Sequence, residues 1–441
     1  MKNRFFKYVS QNILAMIGLS LYILADTYFI SKAVGANGIT ALNMALPVYG
    51  VIFALGQMVG VGSAIRYSIV KEQYRNSNKD GSNECDKYFS GALFWGLVIG
   101  VIFAVLGLVF PDKIVEIMGG DETIVAIGVP YFRIFMSFSP FFIFNYTCNA
   151  FVRNDGNPSV SMAATLISSL FNIVFDYILM FPLGMGMPGA ALATALSPVV
   201  GVMICMIHFL SKKNTVKFKW FKTSLTRLFH CCQVGMSAFV GEMSGAVIVM
   251  VFNFIILRLT GNIGVAAYGV VANTALVAVA VFNGVALGSQ PLISESYGKH
   301  NIKDIKLIEK LGVATALGLA VIIVIMIWGF TDTIVGVFNS QGSDRLLSLA
   351  RVGLRIYFIG FLFAGINIFC SSALSAIASV KWAFVLSILK GFVVVNVCAA
   401  ILAPIFGMNG VWVAFPLSEF ILLIISGVAM KKSIGALESE R

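Results

Sequence analysis

The chain has 441 residues, of which 59% are hydrophobic and only 12% are charged, and its mean hydropathy is +0.91. Soluble domains carry roughly 45–50% apolar and about 25% charged residues, so this composition excludes a soluble enzyme, a nucleic-acid-binding protein and a disordered chain. A transmembrane β-barrel is excluded as well, because its strands alternate apolar and polar residues in segments of about 10, whereas the apolar runs here continue well past that length. The composition predicts an all-α polytopic membrane protein.

Twelve apolar segments reach the length of about 20 residues that a helix needs to cross a bilayer. The first six lie near 11–31, 39–65, 88–110, 130–151, 159–181 and 189–210, and the second six near 232–257, 264–290, 311–330, 351–376, 382–404 and 410–430. An even number of spans places both termini on one side, and most of the 31 basic residues fall in the loops of that side. Because basic loops stay in the cytoplasm, both termini are predicted to be cytoplasmic.

The two halves of the chain repeat each other. Shifts of 221 to 226 residues align Gly35 with Gly261, Gly62 with Gly288, Asn145 with Asn367, Cys148 with Cys370, and 186–189 with 407–410. We therefore predict two six-helix lobes, 1–210 and 232–441, joined by a basic cytoplasmic linker, 211–231, which we expect to lie on the anionic leaflet as a helix. A parallel repeat implies a pseudo-two-fold axis along the membrane normal, with a central cavity between the lobes.

Ionisable residues inside spans are costly and mark ion or substrate pathways. Asp26, Asp176 and Thr194 each fall about five residues from the outer end of a span, which is roughly 8 Å at a rise of 1.5 Å per residue. Asn172 lies one helical turn below Asp176 on the same face. Two carboxyl groups that meet out of water cannot both stay charged cheaply, so a proton or Na⁺ would relieve their repulsion. The alternative is that each acid hydrogen-bonds separately to a neighbouring helix.

The second half places Glu242, Lys390 and Glu419 near mid-membrane. An ion pair of Lys390 with a glutamate is one interpretation, and a second proton site or an anchor for a cationic substrate is the other. The seven cysteines show no metal-binding spacing, and neither a phosphate-binding loop nor a zinc-hydrolase motif is present. We predict that the protein is not an enzyme, has no catalytic residues and needs no cofactor.

Five motifs together resemble one family. They are Asp26 with its flanking residues, 34–42, Asn172 with Asp176, 186–194, and 261–273. In combination they resemble the multidrug and toxic compound extrusion (MATE) transporters, in the prokaryotic MepA-like and DinF-like branch of the MOP flippase superfamily. The resemblance covers essentially the whole chain.

The resemblance implies an antiporter, driven by H⁺ and/or Na⁺, that exports lipophilic and often cationic small molecules by alternating access. It would act as a monomer among the lipids of the prokaryotic plasma membrane, with no nucleic-acid partner. Positions that match Asp26, Asn172, Asp176 and Thr194 form the cation site of the first lobe in this family. The alternative is a flippase of lipid-linked oligosaccharide or peptidoglycan precursors, which should have a strongly cationic cavity. A channel and a non-transporting scaffold or receptor are more remote alternatives.

Overall fold

The structure is a computed structural model that describes residues 1–77, 81–221, 223–338 and 343–439, and the regular elements in this part of the chain are helices. The first half contains α1 (Lys2–Ala33), α2 (Ala36–Asn76), α3 (Ser82–Val109), α4 (Pro111–Ile117), α5 (Glu122–Ser137), α6 (Ser139–Asn154), α7 (Pro158–Met180) and α8 (Met187–Phe209). The second half contains α9 (Leu225–Gly298), α10 (Ile302–Gly329), α11 (Thr331–Phe338), α12 (Asp344–Tyr357), α13 (Phe361–Ala376), α14 (Val380–Ile388), α15 (Val394–Phe406) and α16 (Met408–Ser439). A 3₁₀ turn, Phe358–Gly360, joins α12 to α13, and a π turn, Leu389–Val393, joins α14 to α15.

The helices account for the twelve predicted spans. Ten helices of the described residues are long and apolar enough to cross a membrane, and α5 with α6 forms an eleventh span that is bent by 46°. Helix α9 has 74 residues and non-helical backbone angles at Gly261. At 1.5 Å per residue its length of about 110 Å far exceeds a bilayer of about 30 Å, so α9 provides two spans. The prediction of an all-helical membrane protein with twelve spans is confirmed.

The backbone repeats at the glycines that the sequence alignment pairs. Gly35, before α2, has φ 79° and ψ −156°, and Gly261, inside α9, has φ 68° and ψ −158°. Gly186, before α8, has φ 56° and ψ −132°, and Gly407, before α16, has φ 58° and ψ −137°. Residues with a side chain rarely adopt such angles, so the matching breaks show that the two halves share a local backbone as well as a sequence pattern.

Contacts between α-carbons divide the chain into two compact units. One unit is Leu14–Glu242 with Tyr297–Lys299, and the other is Met1–Ile13, Met243–Ser296 and the chain from His300 onward. In the unit that begins at Leu14, Tyr49 stacks on Phe135 at 3.8 Å within a core of aromatic and aliphatic side chains. The other unit has its own core, which includes Phe252, Phe361 and Trp412.

Glycines let helices approach closely inside these units. A Cβ atom at Gly60 would lie 2.9 Å from the Cα of Thr147, so α2 packs directly against α6. The Cβ of Gly284 would lie 2.5 Å from the Cα of Ile13, so α9 packs equally closely against α1. Small residues at the crossing points of membrane helices allow this approach.

The basic linker differs from the expected surface helix. Residues 214–221 form no helix, and α9 begins only at Leu225. The backbone N–H of Lys217 donates to Asp86 at 2.8 Å, and that of Lys219 donates to Ser90 at 2.9 Å. The linker backbone thus satisfies its hydrogen bonds with side chains of α3, which is why it does not close into a helix of its own. Lys222 lies outside the described residues.

Candidate functional site

The four residues predicted to bind a cation come together in the unit that begins at Leu14. Asp26 lies on α1, Asn172 and Asp176 on α7, and Thr194 on α8, with exposed fractions of 7%, 0%, 0% and 5%. The Nδ2 of Asn172 donates to the Oγ1 of Thr194 at 3.3 Å. The carboxyl groups of Asp26 and Asp176 lie within electrostatic range of each other. This placement favours a shared site over two acids that pair separately with neighbouring helices.

Several buried oxygen atoms in this cluster have no hydrogen-bond partner among the described residues. Oδ1 of Asp26, Oδ1 of Asn172 and both carboxyl oxygens of Asp176 are buried, and they accept no hydrogen bond from the described residues. Buried polar atoms in folded proteins are almost always paired, so four unpaired oxygens at one place call for a ligand. The donor set is all oxygen, which suits a proton or a hard cation such as Na⁺ and not a metal that prefers sulfur or imidazole.

Three tyrosines surround the carboxyl pair. Tyr22, Tyr49 and Tyr131 lie within electrostatic range of both Asp26 and Asp176, and the hydroxyls of Tyr49 and Tyr131 are 3.0 Å apart. These residues are not among those predicted from the sequence. Tyr22 carries a usable signal, because it lies four residues before Asp26 and therefore on the same face of α1. Tyr49 and Tyr131 lie on α2 and α5, and only the fold brings them here.

A small pocket lies one helical turn from the cluster. Its volume is about 30 Å³, enough for one or two water molecules. Its lining includes Tyr22, Ser168 and Ser197, which follow or precede Asp26, Asn172 and Thr194 by three or four residues. The hydroxyl oxygen of Ser169, also in the lining, is buried and has no hydrogen-bond partner among the described residues. Hydroxyl groups and apolar side chains thus share the lining of a pocket one helical turn from the carboxyl pair.

Glu242 has a partner within its own unit. Its Oε1 accepts a hydrogen bond of 2.6 Å from the Nε2 of Gln57 on α2, and its side chain is exposed. Glu242 therefore does not join the four-residue cluster, and it is a separate acid in the same unit.

Lys390 and Glu419 lie in the other unit. Lys390 sits in the π turn between α14 and α15, within electrostatic range of Glu419. The carboxylate of buried Glu419 accepts a hydrogen bond of 2.7 Å from Asn367, whose Oδ1 in turn accepts one of 2.8 Å from Ser426. Asn367 is the repeat partner of Asn145, so a position shared by both halves serves here to hold an acid.

A second buried carboxylate network escaped the sequence analysis. Asp155, in the turn after α6, accepts hydrogen bonds from Lys71 at 2.7 Å, from His208 at 2.9 Å and from the backbone N–H of Thr215 at 2.9 Å. Burial alone would raise the pKa of Asp155, but the bond to His208 and the Lys71 ammonium hold this pKa well below its usual range. The network ties the linker to α2 and α8.

Fold and site together define a polytopic helical membrane protein, built from two repeated halves, with a buried carboxyl cluster in one of them. The chain belongs to the MatE family, whose profile matches residues 12–178 and again 238–405. The two matches begin 226 residues apart, at 12 and 238, which is the offset that pairs Gly35 with Gly261. The family that the sequence motifs predict is confirmed.

Named relatives and solved structures cover nearly the whole chain. The multidrug export protein MepA of Staphylococcus aureus strain RF122 is 26% identical over 92% of this chain and 88% of its own length. MepA of Staphylococcus saprophyticus is 24% identical over 89% of this chain and 85% of its own length. An outward-facing multidrug resistance MATE transporter of the MOP superfamily has the same fold, with a TM-score of 0.92, 22% identity and coverage of 99% and 96%. A MOP superfamily transporter from Pyrococcus furiosus has a TM-score of 0.89 at 22% identity, over 98% of this chain and 96% of its own length.

Proposed function

We propose that this protein is a cation-coupled antiporter that exports lipophilic, often cationic small molecules across the plasma membrane by alternating access. The relatives named multidrug export proteins support export of small molecules. The observation that carries the cation coupling is the group of buried, unpaired oxygens on Asp26, Asn172 and Asp176. The lobes 1–210 and 232–441 are proposed to be the two bodies that alternate, with both termini in the cytoplasm.

The carboxyl pair would couple the two fluxes through its charge. Without a cation, Asp26 and Asp176 carry a repulsion that their burial makes expensive. A proton shared between them, or Na⁺ held by their oxygens together with Asn172 and Thr194, removes that repulsion and lets α1, α7 and α8 draw together. Coupling then requires only that cation and drug favour different conformational states, and the effect of each on the other's affinity is reciprocal.

The acids outside the cluster have proposed roles that follow from their surroundings. Glu242 is exposed and hydrogen-bonded to a neutral partner, Gln57, so we assign it the role of meeting a cationic drug. Glu419 is buried and hydrogen-bonded to Asn367, so we assign it a structural role beside Lys390.

The test is efflux from vesicles that contain the purified protein and a fluorescent lipophilic cation. A pH gradient and a Na⁺ gradient are imposed separately, and at least one of them should drive efflux. Asp26→Asn and Asp176→Asn should each abolish the gradient-driven component, because one neutral side chain removes the repulsion that the cation relieves. Asp112→Asn, on an exposed position of α4, is the matched control and should transport normally. Efflux that ignores both gradients, or that survives in Asp26→Asn, would overturn the proposal.

A further inference from the structure

A groove of about 640 Å³ lies at the linker end of the unit that begins at Leu14, away from the carboxyl cluster. Its walls come from α3, α6, α8, the linker and the first turns of α9. The volume is within the range of about 300–1,000 Å³ that is typical of small-molecule sites. The transport mechanism proposed above does not use this groove.

The interior of the groove is apolar. Phe94, Trp95, Phe144, Met206 and Phe209 are among its lining residues. Several of them, including Phe94 and Met206, also belong to the exposed surface of the span helices, which in a membrane is the surface that faces the acyl chains. The apolar wall of the groove therefore continues onto the surface expected to face the lipid, from which a hydrocarbon chain would enter from the side.

The rim of the groove is basic. It carries Lys87, Lys217, Lys219 and Arg227, and two carboxylates oppose these four bases. Asp86 pairs with Lys219 at 2.7 Å, and Glu84 pairs with both Lys87 and Arg227. Among the described residues, four positive charges against two negative ones leave the rim with a surplus of two.

Lys217 supplies part of this surplus through its side chain alone. It uses its backbone N–H for Asp86, and its side chain is exposed at the rim. Trp220, also at the rim, is 85% exposed, as is typical of tryptophans that sit at the level of lipid headgroups.

We propose that this groove binds an anionic phospholipid from the leaflet on the linker side, with its phosphate at the basic rim and an acyl chain along the apolar wall. Basic pockets between membrane helices select anionic headgroups, and here the charge surplus and the apolar wall meet in one site. A zwitterionic lipid would bring a positive group to the same rim and bind less tightly. A free anion would leave the apolar wall uncovered.

The groove contains a position at which it can be filled without disturbing the fold. Gly91 on α3 lines the groove, and a Cβ added there meets no atom within 4 Å. Leucine is a better helix former than glycine, so Gly91→Leu should fold and should occupy the space of the acyl chain. Gly318 on α10 faces equally open space outside the groove, so Gly318→Leu is the matched control.

The test is native mass spectrometry of the full chain in detergent, titrated with phosphatidylglycerol, with phosphatidylcholine of the same acyl chains, and with glycerol phosphate. One phosphatidylglycerol should bind at least tenfold more tightly than phosphatidylcholine. Lys217→Gln should weaken it about fivefold, as expected for one basic group at an anionic surface, and Lys217→Arg should not. Gly91→Leu should abolish the binding that Gly318→Leu retains.

Three results would overturn the proposal. Equal binding of the two phospholipids would remove the role of the basic rim. Glycerol phosphate that displaces the lipid at equal concentration would show that the site takes a free anion. Undiminished phosphatidylglycerol binding by Gly91→Leu would place the lipid somewhere else.

Discussion

Two buried carboxylate sites in the same unit differ in how completely their oxygen atoms are hydrogen-bonded. Asp155 is saturated, because Lys71, His208 and Thr215 all donate to it. Asp26 and Asp176 retain oxygens that the described residues leave unpaired. A saturated buried charge stabilises one structure, whereas an unsaturated pair has room for a ligand. The difference separates an acid whose hydrogen bonds are all made within the fold from a pair that fits the coupling role proposed above.

The saturated site predicts a large loss of stability when its charge is removed. Asp155→Asn leaves the Lys71 ammonium without its buried partner, and breaking such a pair costs about 3–5 kcal/mol. The variant should therefore unfold at a clearly lower temperature, as measured with a thiol-reactive dye that reports on buried cysteines such as Cys85, Cys148 and Cys205. Asp112→Asn should melt like the wild type, and an Asp155→Asn protein of unchanged stability would contradict the structural role.

The pH dependence of the stability difference between the wild type and Asp155→Asn follows from the direction in which the pKa of Asp155 shifts. The pKa of Asp155 is lowered in the folded protein, so its stabilisation is fully present above the unfolded value of about 3.9 and is lost as the pH falls towards the folded value. The gap in melting temperature between wild type and Asp155→Asn should stay constant from pH 8 to pH 5 and shrink below about pH 4. A gap that widens on acidification would contradict the assignment.

At the scale of elements, α9 shows how one residue divides a long helical segment into two spans. Gly261 has φ 68° and ψ −158°, a region that only glycine occupies at low cost. A Cβ there would meet no atom within 4 Å, so the constraint is the backbone conformation and not packing. Gly35 has nearly the same angles at the repeat-related start of α2.

This break predicts opposite effects for the same substitution at two glycines. Gly261→Ala should lower the free energy of unfolding by about 1–3 kcal/mol, the cost of placing a side chain in that region. Gly318→Ala, in the interior of α10 and also in open space, should raise it by up to about 1 kcal/mol because alanine is the better helix former. Melting temperatures of the two variants against the wild type provide the measurement, and a stable Gly261→Ala would show that the break is not required.

At the scale of the whole molecule, the sequence predicts what depends on apolar length and local pattern. The twelve spans follow from runs of about 20 residues, and the clustering of Asp26 with Asp176 follows from equal depth. Asp155 escaped prediction because its partners come from α2, α8 and the linker, which only the tertiary fold brings together. The π turn at Lys390 also escaped it, since it lies inside the single apolar segment 382–404.

The repeat is symmetric in backbone but not in polar chemistry. Asp26 aligns with Phe252, and Thr194 aligns with Phe415. Phe252 stacks on Tyr268 at 5.3 Å, and Phe415 stacks on Tyr357 at 4.1 Å, both in an aromatic core. Where one half holds the carboxyl cluster, the other half is thus filled by rings. Glu419, a buried acid of that half, is hydrogen-bonded to Asn367.

This asymmetry predicts that cation binding stabilises the protein through one half only. A ligand that binds only the folded state adds about 2.7 kcal/mol at 100 times its dissociation constant, so the melting temperature should rise with Na⁺ over choline, or change with pH where the coupling ion is H⁺. Asp26→Asn and Asp176→Asn should lose this response, because they remove the charge that the cation neutralises. Glu419→Gln should keep the response, even where the variant is less stable than the wild type, because the glutamine amide can still accept the hydrogen bond from Asn367. Loss of the response in Glu419→Gln, with retention in Asp26→Asn, would place the coupling site in the other half and leave the paired acids of α1 and α7 without a role.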